Sequence, residues 1–153
     1  MRALLFGVLA SCAGENDDGA ETCTVAVDDG VIEASVDGDA WSADATWTEA
    51  GEGVQVVTTT SGGWRLTIAA QQALAAIEVG DLPVTVDLAG DSGFVTAYPE
   101  SGDASFSSSA GSGSLSFIAM DDGLLSGCFT ADTVSADGDV LTLSGGEFVA
   151  EGL

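Results

Sequence analysis

The chain has 153 residues, 46% of them apolar, and carries 25 acidic residues against two arginines, with no lysine and no histidine, for a formal charge of −23. That length allows one domain with a real core, and the apolar share excludes a disordered chain. The charge excludes nucleic-acid binding, which needs Lys or Arg to displace counterions from phosphates, and excludes electrostatic adhesion to anionic membranes.

The missing side chains remove chemistry as well. Ser-His-Asp and Cys-His nucleophile systems need an imidazole base, and catalytic zinc sites usually include one. Schiff bases and the phosphate-gripping P-loop lysine need an amine. What remains is carboxylate chemistry, hard-cation binding, or no chemistry.

Met1-Arg2 gives a short positive start, followed by an apolar run from Ala3 to Ala10. Eight helical residues rise roughly 12 Å, far short of the roughly 30 Å of a bilayer core. The pattern of a positive end, an apolar middle and small residues is that of a secretory signal over residues 1–11. Its n-region and apolar run are shorter than such signals usually have. Leu9-Ala10-Ser11-Cys12 resembles the lipobox of bacterial lipoproteins, in which the cysteine is acylated and becomes the new N-terminus. The resemblance implies lipid on Cys12 and attachment to the cell envelope. By the same resemblance, Ala13 after the cysteine, rather than Asp, implies delivery to the outer membrane. Residues 12–24 then read as the lipidated cysteine and an acidic tether, "AGENDDGAET" being small and without pattern.

Residues 25–153 form the expected domain. Period-two alternation runs through Ile32, Ala34 and Val36, then Trp41, Ala43, Ala45 and Trp47, then Trp64, Leu66 and Ile68 with Arg65 and Thr67 outward. It continues through Val84, Val86 and Leu88, through Leu115, Phe117 and Ala119, through Leu125, Gly127, Phe129 and Ala131, and through Leu141 and Leu143. Turn signals separate these runs at Asp37-Gly38, 51–53, 61–63, 91–93, 111–113, 121–123 and Asp137-Gly138. Their spacing predicts an all-β fold, an antiparallel β-sandwich or flattened β-barrel of about 8–10 strands. "QQALAAIEV" over residues 71–79 favours a short helix, with a strand through Ile77 and Val79 nearly as well supported.

The body also resembles an uncharacterised family of small all-β domains in secreted bacterial lipoproteins. The resemblance rests on "VDGDAWSA", on "WRLTIAA", and on a C-terminal run in which Gly127-Cys128-Phe129 and Gly146-Glu147-Phe148 fill two G-x-F places. It implies a fold and a location and carries no activity.

With Cys12 lipidated, Cys23 and Cys128 remain. A secreted domain meets an oxidising compartment, so a Cys23–Cys128 bridge is expected, with two free thiols as the alternative. Parity turns Cys128 outward, where the incoming chain can reach it. The loop aspartates lack EF-hand spacing and form no calcium-binding repeat, so they read as turn formers and solubilising charge. No metal and no cofactor is expected. Paired carboxylates could hydrolyse glycosides, but alternation assigns Trp41, Trp47 and Trp64 to core faces rather than to a sugar platform. The leading expectation is therefore a monomeric, non-enzymatic, lipid-anchored envelope domain that contacts the membrane through its lipid. A lipocalin-like carrier of a small apolar ligand is the second, and a carboxylate glycosidase a distant third.

Overall fold

A computed structural model describes residues 22–102 and 104–153. Nine strands and one helix follow in the order β1 (Val31–Val36), β2 (Asp39–Ala50), β3 (Gly53–Thr58), β4 (Trp64–Ala70), α1 (Leu74–Glu78), β5 (Val84–Asp87), β6 (Gly93–Pro99), β7 (Phe106–Asp121), β8 (Leu124–Ser135) and β9 (Val140–Gly152). Leaving β5 aside, each strand pairs antiparallel with the next, and β9 returns to β1. The result is a closed eight-stranded up-and-down barrel. Strand β5 is the extra one, laid against the second half of β7 from Val84↔Phe117 to Asp87↔Ser114. Strand β1 is short, so the end of β9 reaches past it to run parallel with β2 at Thr46↔Glu151 and Trp47↔Gly152.

The tight turns are where their residue types predict. Asp37-Gly38 and Asp122-Gly123 each join strands through two residues, both with positive φ, as the commonest hairpin turn requires. Gly62-Gly63 does the same between Ser61 and Trp64, which exchange both main-chain hydrogen bonds at 2.9 Å. Over residues 71–79 the helix forms, five residues long with Ile77 buried.

The inward phases fill the barrel with Ile32, Leu66, Ile68, Leu115, Phe117 and Phe148 among others, each under 2% exposed. A barrel of eight strands is just wide enough for side chains to fill. Trp41 and Trp47 lie six residues apart on β2, roughly 20 Å along the strand. Each is buried and donates its indole N–H to a loop carbonyl at its own end of the barrel. Trp41 Nε1 reaches Ser61 O at 2.7 Å and Trp47 Nε1 reaches Gly123 O at 2.9 Å. Trp64 is only half-buried and meets Phe106 edge-on at 5.8 Å.

Two G-x-F segments form one packing unit. Across β8 and β9, Gly127 faces Phe148 and Phe129 faces Gly146, while Phe117 of β7 faces Gly127 from the other side. With no side chain on Gly127, Phe117 and Phe148 close over it edge to face at 6.1 Å. A Cβ on Gly127 would come within 2.8 Å of Phe148 Cζ, and one on Gly146 within 2.5 Å of Phe129 Cε1.

Two expectations are corrected and one is refined. Residues 111–113 are not a turn but lie inside β7. Five steps of β7, Ser107 to Ser112, oppose two of β8, Val134 to Asp132. The strand bulges there and bends, and its glycines lie where a Cβ would strike Asp132 O or Thr130 O. Ala119 is exposed rather than inward, because a second bulge between Phe117 and Ala119 reverses the phase and sends Met120 onto the core instead. Thr67 faces outward as read, yet it is covered by its neighbours and buried. It stands in an outer row with Val57 and Thr96, its register partners on either side, and β-branched neighbours cover one another on a pleated surface.

Candidate functional site

Chemistry in this chain has to come from carboxylates, hydroxyls and cysteines. Among the described residues the six buried polar side chains are all Thr or Ser, and no buried side-chain nitrogen or oxygen lacks a partner. Ser108 is fully buried, accepts the Val95 N–H at 2.8 Å and donates to Leu88 O at 2.8 Å. It thereby closes the seam where β6 and β7 pair over only two positions. Thr133 Oγ1 donates to Leu141 O at 2.8 Å, and Thr58 Oγ1 accepts from Leu66 N at 2.9 Å. These hydroxyls stitch strands together, and a base stands beside none of them.

The carboxylates are on the outside. No Asp or Glu among the described residues is buried. The closest approach that register enforces is Glu33 opposite Glu147 on β1 and β9, where side chains directly across a sheet lie roughly 5 Å apart at Cβ. They border an open groove of ≈ 660 Å³ on the outer wall, together with Ser35, Ser42, Ser144 and the edge of Trp41. Glu33 is exposed, and Glu147 accepts the Ala26 N–H at 3.3 Å. A second acidic pair flanks Thr142. Asp37 Oδ1 accepts its N–H at 2.8 Å and Asp132 Oδ1 its hydroxyl at 2.9 Å, a bond pattern that holds the β1–β2 turn to β9. Among the described residues no three Asp, Glu, Cys or His side chains gather into a geometry that could hold a metal ion. Arg65 lies over the ring of Tyr98 at 4.7 Å, directly across from it on β6.

Of the residues singled out from sequence, Cys23 and Cys128 are brought together as a disulfide with Cα atoms 5.7 Å apart. Outward parity on β8 between Gly127 and Phe129 presents Cys128 to the incoming chain. The bridge spans 105 positions, a loop for which chain entropy contributes at most about 4–5 kcal/mol. Cys12, with the lipobox-like stretch, lies outside the described residues. The Glu33–Glu147 pair is not legible in the sequence, because it arises from closure of β9 onto β1, a pairing between opposite ends of the domain that alternation cannot reveal.

No family model, no curated protein and no solved structure matches this chain.

Proposed function

We propose that this protein is a lipid-anchored, non-enzymatic domain of the bacterial cell envelope, exported through residues 1–11 and held by lipid on Cys12. The observation that carries this reading is the pairing of two cysteine roles along one short stretch. Leu9-Ala10-Ser11-Cys12 has the letters of a lipidation box after an apolar run, and eleven positions later Cys23 is bridged to the barrel wall. A long-range structural disulfide belongs to an oxidising compartment, which is where lipoprotein export delivers a chain. The charge of −23 suits a solvated domain held near a membrane without lying on it. The role is then mechanical or adhesive, through the outer wall.

The test is expression of the full chain in a bacterium with lipoprotein processing. The parent should fractionate with membranes and incorporate radiolabelled palmitate. Cys12→Ser should lose the label and appear in the soluble fraction. Membrane attachment that survives this change defeats the reading.

One observation favours a second reading, that of a carrier for a small apolar ligand. Eight strands in up-and-down order closed into a barrel is the architecture that holds such ligands in other proteins. A ligand would have to displace Phe117, Phe148 or Leu66 from the interior. Titration with a fluorescent fatty acid checks it, since saturable one-to-one binding that quenches Trp47 would bring the carrier reading forward.

A further inference from the structure

We infer that residues Thr22 to Asp29 form a strap whose seat on the outer wall is released by reduction of the Cys23–Cys128 disulfide, leaving the barrel closed. The strap alternates: Cys23, Val25 and Val27 are half-buried, while Thr22, Thr24, Ala26 and Asp28 are exposed. It bends at Val27 and turns at Asp29-Gly30, and no residue from Thr22 to Asp29 joins a strand ladder. Val25 forms one wall of a shallow open hollow on the outer surface, whose other walls are Ile118, Ala119, Leu124 and Val149 on the outward faces of β7, β8 and β9. Asp121, Asp122 and Ser126 stand at its rim. Ala26 N–H reaches the Glu147 carboxylate at 3.3 Å, and Gly30 N–H reaches Val149 O at 2.7 Å, where β1 is about to begin.

The strap is therefore fixed covalently at its upstream end and by the β1 ladder at its downstream end. Between them it has two half-buried valines, Val25 and Val27, and one long hydrogen bond. Without the covalent end, those middle contacts must offset the conformational freedom of about eight residues, roughly 1 kcal/mol or more each, and two half-buried valines are not enough. The barrel does not depend on it: β8–β9 and β1–β9 pair through their own ladders. Release is ordinary thiol–disulfide exchange. A thiolate of a dithiol reductant attacks one cysteine sulfur, the S–S bond breaks and a mixed disulfide forms. The reagent's second thiolate then displaces that sulfur. Cys23 and Cys128 are left as thiols and the reagent as a cyclic disulfide.

Two consequences follow together. The hollow at Ile118, Leu124 and Val149 loses its Val25 wall, and the chain's point of attachment moves from Cys128 on β8 back to the start of β1. From Cys23 to Val31 is eight residue steps, about 26 Å when extended. Reduction thus lengthens any leash by that amount. This consequence, unlike release itself, rests on the lipid anchor at Cys12.

The experiment is limited proteolysis of the full chain with thermolysin, which cuts ahead of apolar residues, with and without dithiothreitol and below the melting transition of the reduced protein. Mass spectrometry follows cuts before Val25 and Val27. Reduction should speed these cuts at least tenfold, with β1, β8 and β9 uncut and tryptophan emission unchanged. Cys23→Ser/Cys128→Ser should be cut at the fast rate without reductant. Cutting at the same rate in oxidised and reduced protein overturns the proposal, as does loss of β8 and β9 in step with the strap, because the bridge would then hold the barrel rather than the strap. Failure of the Cys12 test leaves this outcome untouched.

Discussion

Glycine and phenylalanine act as complementary halves at two places in this wall. Phe129 lies over Gly146, and Phe117 and Phe148 meet over Gly127. The rings occupy space that a β-carbon would need, so the G-x-F letters serve packing rather than chemistry. Gly146→Ala places a methyl carbon within 2.5–2.6 Å of three atoms of the Phe129 ring. Overpacking of this sort costs about 1–3 kcal/mol, and urea unfolding should show that loss. Adding Phe129→Leu should recover part of it, since the two changes share one volume. Simple additivity in the double variant would mean that the ring is not what the alanine meets. Ser108 is the other residue whose removal is felt. Ser108→Ala leaves a buried Val95 N–H and a buried Leu88 carbonyl without their partner, a loss of about 1–3 kcal/mol in the same assay, although the side chain is small and touches no ligand.

Among the elements, β2 decides how the barrel is closed at its ends. Alternation alone places its tryptophans inward, and Trp41 and Trp47 are buried there. What alternation does not tell is that each indole ties a loop from another hairpin, Ser61 in one case and Gly123 in the other. Trp47 is also packed on Gly152, and its carbonyl accepts the Leu153 N–H at 3.1 Å. Trp47→Ala should cost about 3–5 kcal/mol, as truncation of a buried aromatic does, and should loosen the β7–β8 hairpin first, read as faster amide exchange at Leu124, which pairs with Asp121, and at Gly152, whose N–H is held by Gly123 O. A loss under about 1 kcal/mol would mean the end is closed by other means.

Much of this level is legible in the letters. Asp-Gly and Gly-Gly pairs mark hairpins because only such residues accept consecutive positive φ values, and apolar positions two apart mark inward faces. The exceptions share one cause. Ala119 and the glycines at 111 and 113 lie at bulges, where one strand gains residues against its partner. A bulge is a property of two strands, and neither strand's sequence shows it alone. The same limit hid the choice between sandwich and barrel. Closure needs β9 to pair with β1, and a period-two pattern is equally good for a strand with either neighbour. Cys128 was readable because parity and compartment both bear on it. The Glu33–Glu147 pair was not, because its two halves meet only through closure.

For the molecule as a whole, the dominant unbalanced quantity is charge. A barrel whose core is apolar and whose buried polar groups are all neutral hydroxyls places its acids on the outer surface. The only cation in the described residues, Arg65, stacks on Tyr98. Self-repulsion among the acids lowers stability in the compact state more than in the expanded chain, where the same charges stand farther apart. Salt screens it: the Debye length falls from about 30 Å at 0.01 M to about 10 Å at 0.1 M. The melting temperature should therefore rise between those concentrations of sodium chloride, by several degrees, and flatten beyond them. Two divalent salts separate screening from binding. Magnesium and calcium chloride at one ionic strength should give the same melting temperature, because the aspartates of the loops at 37–39, 121–122 and 137–139 stand in turns where no three carboxyl groups converge on a metal position. If calcium alone raised the melting temperature by many degrees and saturated at one or two ions per chain, the loops would be cages rather than turns, and the outer wall would have a chemistry that its hydrogen bonds do not suggest.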